Sequence, residues 1–198
     1  MTEDAQTREV LERVDRYLAS LPRGLSSHPD CVSKASNLTF QLVHRPAPAL
    51  RQLPEPVRRV LEDPPLPSTW IPTTVFVAAT LAIEAHHGIT DETLAIESTE
   101  EMLKSKLYGL SLKMLTPSMI LRAGAATWGL FHRGSRLVSH KNGDVLEARM
   151  SFPSGLFPLE MLRGYAAGFQ CVTRASWKKD ARVRLVDSGP TFGLFRLD

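Results

Sequence analysis

Residues 136–152 read RLVSHKNGDVLEARMSF, and this stretch decides the fold class of the chain. Two runs with strand character, Arg136 to His140 and Val145 to Phe152, flank Asn142-Gly143, a dipeptide that suits a two-residue hairpin turn because both turn positions need positive φ. In the second run Val145, Glu147, Arg149 and Ser151 alternate with Leu146, Ala148, Met150 and Phe152. The pattern predicts an antiparallel hairpin with one face against the core and one face in water.

A second hairpin is predicted at the end of the chain, where residues 182–186 and 192–197 flank Ser188-Gly189-Pro190. A helix over residues 156–172 separates the two hairpins. This helix contains small residues that either allow another backbone to approach closely or leave room for a ligand, namely Gly164, Ala167 and Gly168.

Three helices are predicted ahead of the first hairpin, over residues 72–87, 91–115 and 116–134. The first is apolar on most sides and should be central, and glycines at 88 and 134 end the first and the third. The order is therefore helix-helix-helix-β-β-helix-β-β. The expected fold class is α+β, with a helical layer packed on a four-stranded antiparallel sheet and an N-terminal helical extension.

The N-terminal part has weaker patterns. Residues 7–19 carry one apolar stripe and predict a helix, and residues 54–61 predict one or two helical turns. Residues 37–44, NLTFQLVH, have β-character and predict a short edge strand or an extended arm, because prolines follow at once.

The best boundary in the chain is the stiff segment Pro64-Pro65-Leu66-Pro67, in which proline removes backbone donors. We therefore expect residues 1–66 to be an N-terminal extension packed on the main body. Residues 67–198 are then expected to form one α+β domain of the ligand-binding kind.

Composition narrows the functional classes. The formal net charge is only +3, and the basic residues near the C-terminus suit a solvated surface, so nucleic acid is not expected as a partner. The two cysteines, Cys31 and Cys171, lie far apart and predict reduced thiols. The N-terminal residues lack the pattern of a signal peptide, and the apolar stretch 75–83 is too short to span a bilayer. These features predict a cytoplasmic chain without membrane insertion.

Motifs for metal, nucleotide or hydrolase chemistry are missing. The six histidines never form an i, i+4 pair with a glutamate between them, and neither a glycine-rich nucleotide loop nor a Gly-x-Ser-x-Gly elbow occurs. We therefore expect neither a metal nor a cofactor. The residues that could act as a general acid or base are Glu84, His87, His132 and Glu160. Glu84 and His87 lie three residues apart on one helix face, a spacing that could orient a general base.

Aromatic side chains recur on the predicted inner helix faces. They could fill a core or line an apolar pocket, and the sequence leaves both readings open. At the mouth of such a pocket, Arg163 or His132 could orient a polar group of the ligand. The candidate ligand-binding residues are Trp70, Phe76, Trp128, Phe131, Arg163, Tyr165 and Phe169.

The succession of elements from Trp70 onward also resembles an uncharacterised domain family abundant in myxobacteria. More distantly it is similar to the superfamily of haem–nitric-oxide-binding domains, vinyl-reductase-like sensors and Bet-type subunits of the Golgi tethering complex. The residues that carry the resemblance are Trp70-Ile71-Pro72, Phe76, Gly88, Thr116-Pro117, Trp128, Phe131, Gly134, Gly164, Gly168 and the strand 192–197. The resemblance implies a domain that holds an apolar ligand between helices and sheet, or that dimerises and docks partners. The Tyr-x-Ser-x-Arg triplet of the haem-binding branch is absent.

Two functional hypotheses follow. The first is a non-enzymatic binding or sensor module for a small apolar ligand, a peptide or a partner protein. A homodimer, formed through an exposed closing strand or through the helix with small residues, is a further expectation. The second is a cofactor-independent biosynthetic enzyme, of the cyclase or isomerase type, that acts on a peptide or an aromatic metabolite in natural-product biosynthesis. Such an enzyme can work by shape and one acid–base group, so missing motifs do not exclude it.

Overall fold

The computed structural model describes residues 3–48, 50–104, 128–142, 145–176 and 180–197. The helices are α1 (Glu3–Ser20), α2 (Ala35–His44), α3 (Glu55–Glu62), α4 (Thr73–His87), α5 (Asp91–Lys104) and α6 (Leu159–Ser176), with a 3-10 turn at Gly24–Ser26. The strands are β1 (Val32–Lys34), β2 (Trp70–Pro72), β3 (His132–Arg133), β4 (Arg136–Asn142), β5 (Val145–Ser151), β6 (Val183–Gly189) and β7 (Phe192–Leu197).

The predicted four-stranded antiparallel sheet is present, in the order β4-β5-β7-β6, and the α+β fold class is confirmed. The alternation predicted for β5 also holds, because Ala148 and Met150 are fully buried whereas Arg149 is exposed. The helix α6 packs against β6 and against α5, and the inner face of the sheet turns towards this helical layer.

The hairpin registers differ slightly from the prediction. Asn142 pairs with Val145, so Asn142 belongs to β4, whereas the prediction put it in the turn; residues 143 and 144 lie outside the described residues. The second hairpin matches more closely, since Gly189 pairs with Phe192 across Pro190 and residue 191. The strand β7 lies between β5 and β6, so it is an internal strand, whereas the sequence suggested an exposed closing strand suitable for a homodimer.

A second, three-stranded antiparallel sheet was not predicted. Its order is β2-β1-β3, and its inner face carries Ser33, Ile71 and His132, all buried. The chain leaves β3 at Gly134, whose φ of 78° and close approach to Cys31 favour glycine, because a Cβ there would lie 2.8 Å from the Cα of Cys31. The third predicted helix therefore ends at Phe131 and not at Gly134, and most of its range lies outside the described residues.

The helix α4 is central, as predicted, since every residue from Thr73 to Ala85 is buried. It ends with Gly88 in the left-handed conformation, where the Ile89 amide donates to the carbonyl oxygen of Glu84 at 3.1 Å. The helix α1, also predicted, packs against α4. The helical turns predicted over residues 54–61 are present as α3.

Two predictions of secondary structure need correction. Residues 37–44 belong to the helix α2, not to a strand or an arm, because the helical spacing of Ala35, Leu38 and Gln41 buries one face. Helix α6 begins at Leu159 and not at 156, because Pro158 precedes its first turn. The second predicted helix, 91–115, is described as α5 as far as Lys104, and the rest of that range lies outside the described residues.

The small residues of α6 permit close packing inside the chain. A Cβ on Gly164 would lie 3.2 Å from the Cβ of Asp91, and a Cβ on Gly168 would lie 3.2 Å from the Oγ1 of Thr99. These glycines therefore face α5 at close range, so neither position leaves room for a ligand. The division at residues 64–67 stays a prediction, although β1 from the first part pairs with β2 and β3 of the second.

Candidate functional site

The aromatic side chains predicted to face inward meet around His132. The ring of His132 stacks on Trp128 with centroids 4.2 Å apart, and Phe76, Phe157 and Tyr165 lie within 6.2 Å of it. Phe169 extends this cluster to Phe195 of the sheet, at 5.2 Å. At these positions the side chains pack on one another and fill the space between helices and sheet.

His132 is part of a buried polar network. Its Nδ1 lies 3.0 Å from the Oγ of Ser33, which in turn lies 3.0 Å from the Oγ1 of Thr73, and its Nε2 lies 3.3 Å from the Nδ2 of Asn37. Burial lowers the pKa of His132 to about 3, so the ring is neutral at physiological pH. The side chain is 4% exposed and therefore lies in the interior, not at a pocket mouth.

Three of the candidate ligand-binding residues lie outside this cluster. Trp70 is on the outer face of the small sheet, where the Nζ of Lys34 and the guanidinium of Arg133 each lie 4.2 Å from its ring. Arg163 is exposed on α6, and Phe131 is half-buried at the end of its helix. The structure thus brings together Phe76, Trp128, Tyr165 and Phe169 from the predicted set.

A second polar cluster lies where α1, α4 and α5 meet. Glu84, which is 0% exposed, accepts a hydrogen bond from the Nη2 of Arg13 at 2.8 Å, and the Oδ2 of the buried Asp91 lies 3.6 Å from the same nitrogen. One partly exposed guanidinium thus faces two buried carboxyl groups. Of these residues, only Glu84 was a candidate from the sequence.

The second carboxyl group changes the protonation state of the first. Burial raises the pKa of Glu84 to about 11, and both a hydrogen bond with Asp91 and the negative charge of Asp91 contribute to the increase. The positive charge of Arg13 acts in the opposite direction. Burial also raises the pKa of Asp91. The Oε1 of Glu84 and the Oδ1 of Asp91 lack hydrogen-bond partners among the described residues if both groups are ionised. One proton held by Glu84 and donated to Asp91 satisfies both oxygens.

Tyr165 connects this acid pair with the aromatic cluster. Its hydroxyl group is buried without a hydrogen-bond partner among the described residues, and its pKa is raised by burial and by the charges of Tyr17 and Asp91. The hydroxyl of Tyr17 instead donates to the carbonyl oxygen of Leu156 at 3.0 Å. Tyr165 and the protonated Glu84 are thus two buried proton donors, and the charge of Asp91 acts on both.

The other two acid–base candidates lie at the surface. The Nε2 of His87 lies 2.8 Å from the carbonyl oxygen of Pro46, at the end of α4, so His87 does not orient Glu84. Glu160 is exposed in the first turn of α6, from where its charge contributes to raising the pKa of both Glu84 and Asp91. The four candidates therefore do not converge on one point.

A groove of about 450 Å³ lies beside β4. It is lined by Trp128, Gly129 and residues 135–139, and the Nε1 of Trp128 donates to the Oγ of Ser135 at 3.0 Å. Gly129 faces open space, because a Cβ placed on it would meet no atom within 4 Å. Among the described residues, β4 pairs with β5 alone, so the groove follows an edge of the four-stranded sheet.

The two buried titratable groups predict how stability depends on pH. The folded-state pKa of His132 lies below its ordinary value of 6.5, so we expect stability to fall as the pH drops from 6.5 towards 3, by up to about 1.4 kcal/mol per pH unit. The folded-state pKa of Glu84 lies above its ordinary value of 4.5, so the contribution of Glu84 to the free energy of unfolding falls as the pH rises above 4.5. Urea unfolding at several pH values should show the greatest stability between about pH 4.5 and 6.5. An alkaline decline equally steep in Glu84→Gln would contradict the assignment.

Absences can be stated only for part of the chain. Within the described ranges, no group of three or more His, Cys, Asp and Glu residues could hold a metal ion. None of the described helices is long and apolar enough to cross a bilayer. A scan against protein-family models, a search of curated proteins and a search of solved structures each find no match. The family resemblance noted from the sequence therefore stays an expectation.

Proposed function

We propose that this chain is a non-enzymatic binding module that takes an extended peptide segment in the groove along β4. The observation that carries the proposal is the position of the groove beside a strand that, in the described part of the chain, is paired on one side only. The open side of such a strand offers backbone amide and carbonyl groups, to which a peptide can add as a further strand.

The sides of the groove support a peptide with some apolar residues. Trp128 and Leu137 are largely buried apolar side chains among its lining residues, and tryptophan is favoured in binding surfaces because it offers a large contact area. Arg136 is exposed on the same strand and can contact a polar group. A small apolar ligand or a folded partner protein could use the same base, but neither needs a strand edge.

Filling the groove tests this proposal. Gly129 has helical neighbours and open space around it, so Gly129→Leu should place a side chain in the groove without disturbing the core. Random decapeptides displayed on phage would be selected on the unmodified chain, and their affinities would be measured by fluorescence anisotropy. We expect selected peptides to bind Gly129→Leu at least about tenfold more weakly, because the substitution blocks the contact.

The matched control is Ala175→Leu, which adds the same apolar group at an exposed helical position in α6. It should bind the selected peptides as the unmodified chain does. The proposal is wrong if selection enriches no peptide, or if the enriched peptides bind Gly129→Leu with undiminished affinity.

The buried acid pair favours a second candidate, the cofactor-independent cyclase or isomerase of natural-product biosynthesis. The pair holds one proton on Glu84 that can be transferred to a reacting group, which a glutamine amide cannot do, and Tyr165 is a second buried donor. Peptides recovered after incubation with the chain would be analysed by liquid chromatography and mass spectrometry. A change in mass or retention time that disappears in Glu84→Gln would favour the enzyme, and unchanged peptides would favour the binding module.

A further inference from the structure

We infer that the peptide bound along β4 is acidic on one face and apolar on the other, with Asp or Glu opposite Arg136 and an apolar residue opposite Leu137. This inference rests on the proposed function and specifies the class of ligand. It follows from the side chains that an added strand would meet on the two faces of the sheet.

The outward face of β4 and its neighbours is basic. On this face the strand carries Arg136 and His140, and the whole strand, RLVSHKN, contains no acidic residue. Glu147 of β5 lies on the outward face but is already bound, because Arg196 donates to its Oε1 from Nε at 3.0 Å and from Nη2 at 2.8 Å. An acidic side chain added at this edge would thus meet positive charge that Glu147 does not neutralise.

Arg149 adds positive charge to the same face, farther from the open edge, since the ring that it covers belongs to β7. It pairs with Val138 of β4, and its guanidinium lies 4.2 Å from the centre of the Phe192 ring, which holds it over the outward face. Among the described residues, neither Arg136 nor Arg149 forms an ion pair. An acidic residue opposite Arg136 would therefore face an arginine that has no acidic partner among the described residues.

The inward face of the same strand is apolar at the groove. Leu137 pairs with the fully buried Met150, and both point away from the outward face that carries Arg136 and Val138. Since successive residues of a strand point to opposite faces, the peptide residue next to each acidic one would face Leu137 and Trp128. The ligand should therefore alternate acidic and apolar residues.

A second copy of the chain fits this edge poorly. If β4 paired with β4 of another copy, each strand would bring Arg136, His140 and Lys141 and neither would bring an acidic residue. Like charges on facing strands destabilise their pairing. Charge complementarity thus favours an acidic peptide over a homodimer at this strand.

Two labelled peptides test the inference, acetyl-TVELEVT-amide and acetyl-TVKLKVT-amide, which differ only in the sign of the outward charges. Fluorescence anisotropy at low salt should give at least about tenfold tighter binding of the acidic peptide, because reversing both charges replaces attraction by repulsion. The difference should shrink at high salt, since the charges are exposed. In Arg136→Glu the preference should decrease or reverse, whereas Arg51→Glu, an equal change of net charge at an exposed loop position, should keep it.

The outcomes separate the two proposals. If both peptides bind equally and Arg136→Glu changes nothing, the acidic preference is wrong while the peptide-binding function stands. If neither peptide binds and the library selection also fails, both proposals are overturned. A single-stranded oligothymidylate that binds and loses affinity in Arg136→Glu, while the acidic peptide does not bind, would overturn the inference in favour of nucleic acid.

Discussion

Replacement of His132 by alanine should lower the free energy of unfolding by about 4 kcal/mol, close to the loss of a large buried aromatic side chain. The ring stacks on Trp128 and touches Phe76, Phe157 and Tyr165, so its removal leaves a cavity among rigid neighbours. The polar groups of Ser33 and Asn37 also lose a partner in the interior. Urea unfolding at pH 7, followed by circular dichroism, would measure the change.

Two further variants separate the contributions of the ring. His132→Phe keeps an aromatic ring but removes both nitrogen contacts, so we expect an intermediate loss of about 1–3 kcal/mol. His140→Ala, at an exposed position of β4, should change stability by less than about 0.5 kcal/mol. If His132→Ala were as stable as His140→Ala, the core around His132 would not be packed as described.

Arg13→Met should lower the free energy of unfolding by about 3 kcal/mol, because it leaves two buried carboxyl groups without their cation. This loss is at the low end of the range of about 3–5 kcal/mol for breaking a buried ion pair, because the Arg13 side chain is 25% exposed. Arg16→Met, at an exposed position of the same helix, is the matched control and should change stability little.

The isosteric variant Glu84→Gln tests the shared proton directly. If Glu84 is protonated at pH 7, a glutamine amide can make the same two hydrogen bonds. Its oxygen accepts from Arg13, and its NH₂ group donates to Asp91. We then expect a loss below about 1 kcal/mol. A loss as large as that of Arg13→Met, measured under the same conditions, would show that Glu84 is ionised and would refute the proton sharing.

The parts of the fold that were predictable have local signals. The apolar helix α4 ends at a glycine with positive φ, and β5 alternates over its whole length, so both could be read from neighbouring residues. The small sheet had no such signal, because strands of two or three residues are too short to show a period. In α2, β-branched and aromatic residues suggested a strand, but burial of Ala35, Leu38 and Gln41 by the rest of the chain favours a helix.

The acid pair was only partly predictable. Glu84 was a candidate because it lies three residues before His87 on the same helix face, a spacing that could orient a general base. The sequence suggested His87 as its partner from helical spacing, whereas its actual neighbours are Asp91, beyond the Gly88 turn, and the distant Arg13. The groove was missed because it depends on the order of strands in the sheet, which alternation alone does not specify.

The small sheet has a consequence for the folding rate. Its central strand β1 joins β3 through residues 99 positions apart, as Ser33 and His132 are, so this sheet has a high contact order. Closing so long a loop costs conformational entropy before the native contacts compensate for it. The hairpin β4–β5 and the α1–α4 pair can therefore form ahead of it. During synthesis β1 emerges about 100 residues before β3, so β1 cannot pair with β3 until that later segment has been made.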